Sequence, residues 1–457
     1  MDTENLLHEA DLSPSELARA MLNRHVGDNV ETLNNLAIEQ AAPVLAALPV
    51  ERAVEILDQP EFFAGPDIIA SLSAAHAATL LNAMSADRAA DIVRLLPDES
   101  RPLVMAVLDD ESRGAIQRLL VYPEDTAGGL MTTEFVSVPS NFTVGQTLEH
   151  IRHVERTRET VYAIYVLDPA TRRLVQMVTL RRLIAAEPSA PILSAARESK
   201  PITVSPQTDR EEVGRLFRKY DLLAVPVVDH FGHVLGIVTV DDAIDAMLQE
   251  SSEDVQKFGG MEAIDKPYLQ MGFGAMIKKR AGWLCVLFLS EMLTASAMQS
   301  FEAELEKAIV LTLFVPLIMS SGGNSGSQAT SLLIRSLALQ ELRLRDWWRV
   351  AIRELPTGIV LGSFLGIIGI ARIAAWQSLG LYDYGPHWQL VALTVGAALI
   401  GIVTFGSMAG SMLPFILKRA GFDPASASAP FVATLVDVTG LVIYFSVALV
   451  ILRGTLL

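Results

Sequence analysis

The sequence predicts a multidomain protein with three parts: an all-α superhelical N-terminal domain, an α/β domain built from a duplicated unit, and an α-helical membrane domain with five transmembrane helices. Three observations predict it. Short helical patterns recur with a period of about twelve residues near the N-terminus. A strand–helix–strand–strand–helix order then occurs twice, and five apolar stretches long enough to cross a bilayer follow. The predicted boundaries are residues 1–126, 127–252, a connecting helix over 253–277, and a membrane domain over 278–457.

Charge is divided unevenly between the two halves of the chain. Residues 278–457 carry 13 Lys or Arg and 10 Asp or Glu, a net of +3, whereas residues 1–277 carry 23 and 42, a net of −19. An acidic soluble half disfavours nucleic acid and anionic lipid as partners and favours cations. The single cysteine, Cys285, excludes a disulfide framework and a Cys-based zinc site. The first ten residues lack a signal-peptide core, so we expect a cytosolic N-terminus.

The N-terminal region consists of similar short segments. Each has a Leu or Met, a polar or Pro turn position, and charged residues that open a short helix; the segments are 48–57, 72–81, 84–93, 96–105 and 108–117. Such units cannot bury their apolar faces alone and should stack into a superhelical solenoid. Asp87 and Asp91 are four residues apart and share a helix face. Either water solvates these two carboxylates or a cation screens them.

A hinge-like segment, VYPEDTAGGLMTTEF at 121–135, precedes the duplicated unit. The first copy has strands at 136–138 and 162–168, a helix at 146–154 between them, and a strand running into a helix over 174–184. The same order recurs over residues 201–248. The duplication and the closing G-I-V-T-x-x-D turn, Gly236 to Asp242, resemble a tandem pair of cystathionine-β-synthase (CBS) domains.

Such CBS pairs commonly bind adenine nucleotides such as ATP. Thr239 and Asp242 occupy the positions that usually hold the ribose, so the resemblance implies a nucleotide half-site there. The first copy has Gln176 and Arg182 in place of the Gly and the Asp. At most one half-site is therefore intact, and a purely structural CBS pair is an equal alternative.

The stretch 241–265 is predicted as a helix loaded with acidic residues. Helical spacing brings Asp242, Asp245 and Glu253 to similar faces, with Glu250 and Asp254 beside them. Few basic residues stand four positions away to compensate. Clustered carboxylates suit Mg²⁺ or Ca²⁺, and Mg²⁺ keeps much of its water, so one or two carboxylates per ion suffice.

The membrane half contains five apolar spans, which we place at 281–300, 308–338, 355–377, 388–416 and 430–452. Lys and Arg gather before the first span, between spans two and three, and between spans four and five. The positive-inside rule then places the N-terminus in the cytosol and the C-terminus outside.

Three of these spans carry unusual residues. In span two, Pro316 precedes a polar, Gly-rich patch in which Asn324 and Gln328 lie one turn apart and can face one cavity. In span four, we expect Pro414 to interrupt the helix, and the Gly406–Gly410 patch before it suits either a cavity or close helix packing. In span five, Asp437 stands alone among apolar residues. An intramembrane carboxylate costs about 2.5–3.5 kcal/mol on insertion scales, so Asp437 indicates a cation site in a pore; a helix cap is the alternative.

Together, the hinge YPEDTAGGLMT, the CBS pair, GGNSGSQ after a Pro, and PFVATLVDVTG in the last of five spans resemble the MgtE-type magnesium transporters from about residue 40 onward. The resemblance implies a homodimeric Mg²⁺-selective channel in the cytoplasmic membrane. Spans two and five would line the pore, with Asp437 as the selectivity carboxylate. Backbone oxygens near Ala433 and Gly440, and the region of Asn324 and Gln328, would help to hold a hydrated ion.

The resemblance also implies regulation by Mg²⁺ in the cytosol. Asp91, joined by Asp87 on its helix face, and the acids Asp242, Asp245, Glu250, Glu253 and Asp254 would bind Mg²⁺ between the N-terminal and CBS domains. Without Mg²⁺ these surfaces repel; with it they bridge, and a plug helix at about 255–275 closes the pore. Ser327 departs from the Asn usual in the family, and the N-terminal domain is less acidic than usual.

Other functions stay open at this point. A transporter that couples divalent-cation movement to H⁺ or Na⁺ and is regulated by nucleotide would need an ionisable relay, and Glu291 is the chief span acid besides Asp437. A CBS-regulated membrane enzyme is disfavoured because the sequence has no phosphate-cradling loop, His metal cluster or nucleophile–base pattern. An anion channel is disfavoured because the strongest pore charge is negative.

Overall fold

The structure is a computed structural model that describes residues 12–154, 160–264 and 267–456. The chain divides near residue 250 into two compact units, one formed by the N-terminal helices with the α/β region and one by the connecting segment with the membrane helices. The predicted fold class is confirmed, because helical repeats, small sheets and five long apolar helices follow one another along the chain. Each unit is described by itself.

The N-terminal region is a stack of short helices. Each helix packs mainly against the helix two positions along, as α1 does with α3 and α4 with α6, and this pattern builds a solenoid with a continuous apolar core. The helices are α1 (Pro14–Met21), α2 (Val26–Asn34), α3 (Ile38–Ala47), α4 (Val50–Leu57), α5 (Gly65–Ser71), α6 (Ala74–Ala83), α7 (Ala86–Leu95), α8 (Arg101–Val107) and α9 (Asp110–Leu120).

Arginines near the starts of the repeats tie the stack together. Each donates to backbone carbonyls at the end of an earlier helix: Arg88 Nη2 to Gln59 O at 3.0 Å, Arg101 Nη2 to Arg94 O at 2.8 Å and Arg113 Nε to Met105 O at 2.9 Å. The last carbonyls of a helix have no partner within it, so guanidinium groups there satisfy them and favour the negative end of the helix dipole. The charged positions of the repeat therefore hold it in register.

The α/β region contains the two predicted copies. In the first, β1 (Phe135–Pro139) pairs parallel to β2 (Thr160–Leu167), which pairs antiparallel to β3 (Leu174–Thr179). In the second, β4 (Ala224–Val228) and β5 (Val234–Thr239) are antiparallel. The recurring order predicts a first strand near the start of residues 201–248, and the structure has there only one parallel bridge, between Val204 and Val227. The helices are α10 (Ala127–Leu130), α11 (Val144–Val154), α12 (Leu180–Ala185), α13 (Arg210–Tyr220) and α14 (Val240–Phe258).

The hinge segment adds to the second copy rather than hanging free. Thr132 and Ile237 exchange backbone hydrogen bonds of 2.8 and 2.9 Å, which makes the hinge a neighbour of β5. A Cβ at Gly236 would lie 2.5 Å from the carbonyl oxygen of Thr132. The glycine of the G-I-V-T-x-x-D turn is therefore required for this close backbone approach.

The continuous connecting helix predicted over 253–277, including the plug helix at about 255–275, is wrong. Helix α14 ends at Phe258, a 3₁₀ turn covers Tyr268–Gln270, and the first membrane helix begins at Phe273. The helix ends there because Gly260 has φ of +74°, a conformation that favours glycine and stops helices. The predicted helix at 241–265 is shortened for the same reason.

Five helices are long and apolar enough to cross a membrane, which confirms the five predicted spans. Pro414 lies inside the fourth of these helices without ending it, so the predicted interruption of span four is wrong. Pro316 lies in the first turn of its helix, where a missing N–H costs little. The helices of this unit are α15 (Phe273–Ser300), the short α16 (Glu302–Lys307), α17 (Val315–Ala338), α18 (Trp347–Ser378), α19 (Trp388–Arg419) and α20 (Ala429–Ile451).

The Gly406–Gly410 patch serves close helix packing. Gly406 and Gly410 lie against the backbone of Gly322 and Gly326 in α17, leaving no space for a Cβ at either position. Thr330 Oγ1 donates to the carbonyl of Gly410 at 2.8 Å across the same interface. Small residues let two membrane helices approach this closely. Gly322 and Gly326 of the polar patch in α17 therefore serve helix packing.

Candidate cation pathway and acidic cluster

Helices α17 and α20 pack antiparallel in a fixed register. A Cβ at Gly323 would lie 3.3 Å from the Cβ of Ala433, and one at Gly322 would lie 2.7 Å from Val436 Cγ1. At one end of the contact, Tyr444 Oη donates to Leu311 O at 2.9 Å. The glycines of the GGNSGSQ patch thus position α20 as well as α19.

The opposite side of the α17 patch is open. Asn324 and Gln328 are both exposed, one turn apart, as the spacing predicted. Asp437 is half-buried on α20, and Ala433 precedes it by one turn. The register places Asn324 level with Ala433, so the two amides and the carboxylate follow one another along the helix pair at intervals of about one turn.

The Asp437 carboxylate makes no hydrogen bond or ion pair within the parts of the chain that the structure describes. Its position on α20 is fixed by buried neighbours on both sides, Val436 and Gly440. Gly440 itself is covered, because a Cβ there would lie 3.2 Å from Met319 and 3.4 Å from Ile402. The structure therefore does not bring Gly440 onto the open face with Asn324 and Gln328.

In the first unit, Asp87 and Asp91 lie on one face of α7. Asp87 is only 8% exposed, and its Oδ1 is buried with no hydrogen-bond partner among the described residues. Asp87 is therefore not an exposed surface carboxylate. Asp91 is held by Arg94 at 3.1 Å and by Arg88 at 3.8 Å, and burial raises the pKa of Asp91 to about 7.

The start of α14 faces this helix. Burial, followed by repulsion from Asp87 and Asp241, raises the pKa of Asp242 to about 7, although Thr239 Oγ1 donates a hydrogen bond to its carboxylate. Asp245 interacts electrostatically with Arg88 of α7, and burial raises its pKa as well. Asp87, Asp91 and Asp245 therefore all interact electrostatically with Arg88, and Asp242 interacts with Asp87. That these acids bind metal stays a prediction.

A fifth acid joins them that sequence reasoning missed. Asp58 follows α4, and burial raises its pKa to about 6 while Arg88 and Asp87 act on it electrostatically. Its Oδ1 is also buried without a partner in the described part of the chain. Asp58 comes close because Arg88 donates to the carbonyls of Leu57 and Gln59, a contact between repeats that spacing alone does not reveal. We call Asp58, Asp87, Asp91, Asp242 and Asp245 the acidic cluster.

The remaining predicted ligands lie elsewhere. Glu250 accepts from Arg210 Nε and Nη2, both at 2.7 Å. Glu253 and Asp254 belong to the second unit, where Glu253 is 3.5 Å from Lys257. Over residues 12–154, 160–264 and 267–456, no three His, Cys, Asp or Glu side chains form a group that could hold a metal ion. The acidic cluster therefore does not form a complete set of metal ligands. It suits a hydrated ion that is bound by only one or two carboxylates.

Two cavities lie in the α/β region. One, of about 350 Å³, is beside Thr179 of the first copy; its lining is Tyr162, Thr179, Leu180, Arg181, Ile184 and Leu223. The other, of about 600 Å³, is lined by Tyr122, Thr203, Val204, Ser205, Pro206, Gln207, Val228, Asp229, His230 and Leu235. Neither lining includes Thr239 or Asp242, which are hydrogen-bonded to each other.

The connecting segment contacts the N-terminal end of α20. Lys257 Nζ is 2.8 Å from Asp423 Oδ2 in the loop before α20. Gly260 packs under the Trp283 ring, and Trp283 Nε1 donates to Ser428 Oγ at 3.2 Å. Ser428 in turn caps α20 by accepting from Phe431 N at 3.3 Å. The segment that follows α14 therefore abuts the helix that carries Asp437.

Comparison with known proteins agrees with this architecture. Residues 315–447 match the divalent cation transporter family MgtE, residues 24–125 match the MgtE intracellular N domain, and residues 196–249 match the CBS domain. The magnesium transporter MgtE of Thermus thermophilus is 41% identical over 339 residues, 74% of this chain and 73% of that protein. The one from Enterococcus faecalis is 35% identical over 340 residues, 74% of this chain and 72% of that protein.

Among solved structures, the soluble part of a magnesium transporter is 31% identical, covers 54% of this chain and 97% of its own, and gives a TM-score of 0.49. The cytosolic domain of the Mg²⁺ channel MgtE in complex with ATP is 34% identical, covers 53% and 97%, and gives 0.48. By the identity and coverage of its curated relatives, the chain belongs to the MgtE family of magnesium transporters, which are membrane proteins and not enzymes.

Proposed function

We propose that the protein is a homodimeric Mg²⁺-selective channel of the cytoplasmic membrane that cytosolic Mg²⁺ closes. In this proposal the N-terminus and the CBS pair are cytosolic and the C-terminus is outside. The observation that carries it is Asp437, an unpaired carboxylate inside a membrane helix, on a helix pair whose open face continues through Ala433, Asn324 and Gln328. Intramembrane carboxylates of this kind mark ion pathways.

The open face suits a hydrated divalent cation. Two subunits meeting at this face would present two Asp437 carboxylates, whose charge balances one Mg²⁺. Mg²⁺ gives up its water reluctantly, so amide side chains at Asn324 and Gln328 would accept or donate hydrogen bonds to the hydration shell. The small side chain of Ala433, one turn before Asp437, leaves space for a hydrated ion beside α20. Gly440, which is covered by Met319 and Ile402, acts in helix packing rather than as a ligand.

The acidic cluster would be the sensor. Two carboxylates about 6 Å apart at an effective dielectric constant of about 20 repel by about 3 kcal/mol, so five acids beside only Arg88 and Arg94 destabilise this surface. Mg²⁺ bound between α7 and the start of α14 would remove that repulsion and hold the two elements together. Glu253 and Asp254 would add a second acidic surface on α14. Glu250 would stabilise α14 through Arg210 instead of binding metal.

Closure would reach the pore through the connecting segment. In place of one continuous plug helix, the end of α14, the turn at Gly260 and the base of α15 would transmit the movement to α20. The Lys257–Asp423 ion pair and the Trp283–Ser428 hydrogen bond support this, because they join that segment to the first turn of the pore helix.

A nucleotide-regulated transporter coupled to H⁺ or Na⁺ is the second candidate. The cavity beside Thr179 favours the nucleotide part of it, since Tyr162 offers a ring for a base and Arg181 a guanidinium for phosphate. We propose that regulatory ATP binds there rather than at Thr239 and Asp242. Binding of ATP that Arg181→Ala abolishes and Asp242→Asn leaves intact would support this placement, and the reverse pattern would contradict it.

The pore proposal is tested by Mg²⁺ flux into proteoliposomes. Asp437→Asn keeps the shape of the side chain and removes its charge, so we expect flux to fall to background while the protein stays dimeric by light scattering. The control is Glu302→Gln, an exposed acid outside the five spans. Unchanged flux in Asp437→Asn would contradict the pore assignment. Electrical recording with cytosolic Mg²⁺ varied, with and without H⁺ and Na⁺ gradients, separates a channel from a coupled transporter.

A further inference from the structure

Glu291 is a second intramembrane acid that the pathway described above leaves unused. It lies well inside α15, is exposed on the single chain, and makes no hydrogen bond or ion pair within the described residues. A charged group in this position faces a bundle interior or a water-filled path rather than lipid, because burying it in hydrocarbon is costly.

The face of α15 that carries Glu291 can be identified from burial. Half-buried positions recur every three or four residues at Trp283, Leu287, Ser290, Thr294 and Met298, as expected for the side that packs against a neighbouring helix. Glu291 follows Leu287 by four residues and precedes Thr294 by three, so it borders this side. Thr294 Oγ1 is also buried there, with no hydrogen-bond partner among the described atoms.

The neighbouring helix is α20, and the two run parallel. The Trp283 ring lies 6.3 Å from the Phe431 ring near one end of the contact, and the Phe301 ring stacks 4.9 Å from the Phe445 ring near the other. Eight residues separate Trp283 from Glu291, a rise of about 12 Å at about 1.5 Å per residue. Interpolation between the two ring contacts puts Glu291 level with Asp437.

The two carboxylates also act on each other electrostatically. Since no basic side chain pairs with either of them in the described ranges, each subunit presents two negative charges at one depth of the membrane. The attraction between a cation and a carboxylate scales with the charge of the cation, so a second adjacent carboxylate lowers the energy of a divalent ion by twice as much as that of a monovalent ion. Two adjacent carboxylates therefore widen the preference for divalent ions.

We propose that Glu291 is a second carboxylate of the cation pathway, which acts through the field at Asp437 and strengthens selection of divalent over monovalent cations. It is a selectivity-determining residue and not a direct ligand. This inference rests on the proposed pore function of Asp437. Thr294, one turn away, would solvate the same region.

The test uses the full-length protein in proteoliposomes with Mg²⁺ and K⁺. Glu291→Gln removes the charge, Glu291→Asp keeps it, and Glu302→Gln is a control at an exposed acid in α16, outside the five spans. We expect Glu291→Gln to raise the half-saturating Mg²⁺ concentration on the order of three- to tenfold, the effect of one nearby charge. The reversal potential should report a lower Mg²⁺-to-K⁺ permeability ratio. Glu291→Asp and Glu302→Gln should stay close to wild type in both.

Wild-type values for Glu291→Gln in both measurements would overturn the inference. So would equal losses in Glu291→Gln and Glu291→Asp, because charge would then not be the cause. If the wild-type protein and Glu302→Gln carry no Mg²⁺ current, the proposed channel function itself fails, and the inference fails with it. These outcomes are distinguishable, since only the last one affects the unaltered protein.

Discussion

Replacing Asp242 with Asn should stabilise the Mg²⁺-free protein and remove part of its response to Mg²⁺. The substitution keeps the size of the side chain and an oxygen that can accept from Thr239. It removes one negative charge from a surface where Asp242 faces Asp87 and Asp241. The proposed sensor predicts that this charge is unfavourable until Mg²⁺ neutralises it.

The size of the effect follows from the pKa of Asp242, which burial raises from 3.8 to about 7. At 1.36 kcal/mol per pKa unit this corresponds to about 4 kcal/mol as an upper limit, and relaxation of the charged state leaves roughly half of it. The direction of the pH dependence follows from the protonation state of Asp242. The charged Asp242 destabilises the fold at pH values above about 7, and the penalty disappears as pH falls toward 3.8. We therefore expect about 2 kcal/mol of stabilisation at pH 8 and little at pH 4.

Native-state proteolysis measures this in the full-length protein, since cleavage in the opened state follows the opening equilibrium. At pH 8 with chelator, cleavage within residues 80–264 should be roughly thirtyfold slower in Asp242→Asn than in wild type, the equivalent of about 2 kcal/mol. Excess Mg²⁺ should slow cleavage of the wild type much more than that of the variant. The control is Asp98→Asn, whose side chain is 98% exposed. Equal cleavage of wild type and Asp242→Asn without Mg²⁺, with equal protection by Mg²⁺, would refute the reasoning.

Three further predictions concern other parts of the molecule. Lys257→Ala should leave the channel partly open at saturating cytosolic Mg²⁺, because it removes the ion pair to Asp423, whereas the control Lys278→Ala should not. Single-channel open probability measures this, and equal open probabilities for the two variants would contradict the coupling. Gly410→Ala should lower membrane-domain stability by about 1–3 kcal/mol through overpacking against α17, while Gly274→Ala, which meets nothing within 4 Å, should be tolerated in thermal unfolding. Without Mg²⁺, the first unit should lose stability as pH rises from about 4 to 8, because burial raises the pKa values of Asp58, Asp91 and Asp242 and the folded state therefore binds more protons than the unfolded state in this range. Chemical unfolding at several pH values measures the free energy of unfolding, and an increase with pH would contradict the prediction.

Much of the candidate pore could be predicted from local sequence. The five spans, the amides Asn324 and Gln328 one turn apart, and the isolated charge of Asp437 depend on hydropathy and helical period, which neighbouring residues determine. Interruptions were harder to predict. Pro414 was expected to end a helix that continues to Arg419, since packing against α17 and α18 overrides one missing hydrogen bond. Gly260 ended a helix that was expected to continue.

By itself, the sequence determined the family, the order of the domains, and which residue types are available for cations. Tertiary structure decided which of those residues act together. Asp58 and Asp242 join Asp87 because repeats stack and α14 returns beside α7, whereas Glu250 is taken by Arg210. The reason is physical: helical spacing fixes which side chains share a face, but electrostatic interaction and burial depend on distances through space, and these are set only when the faces of different elements meet.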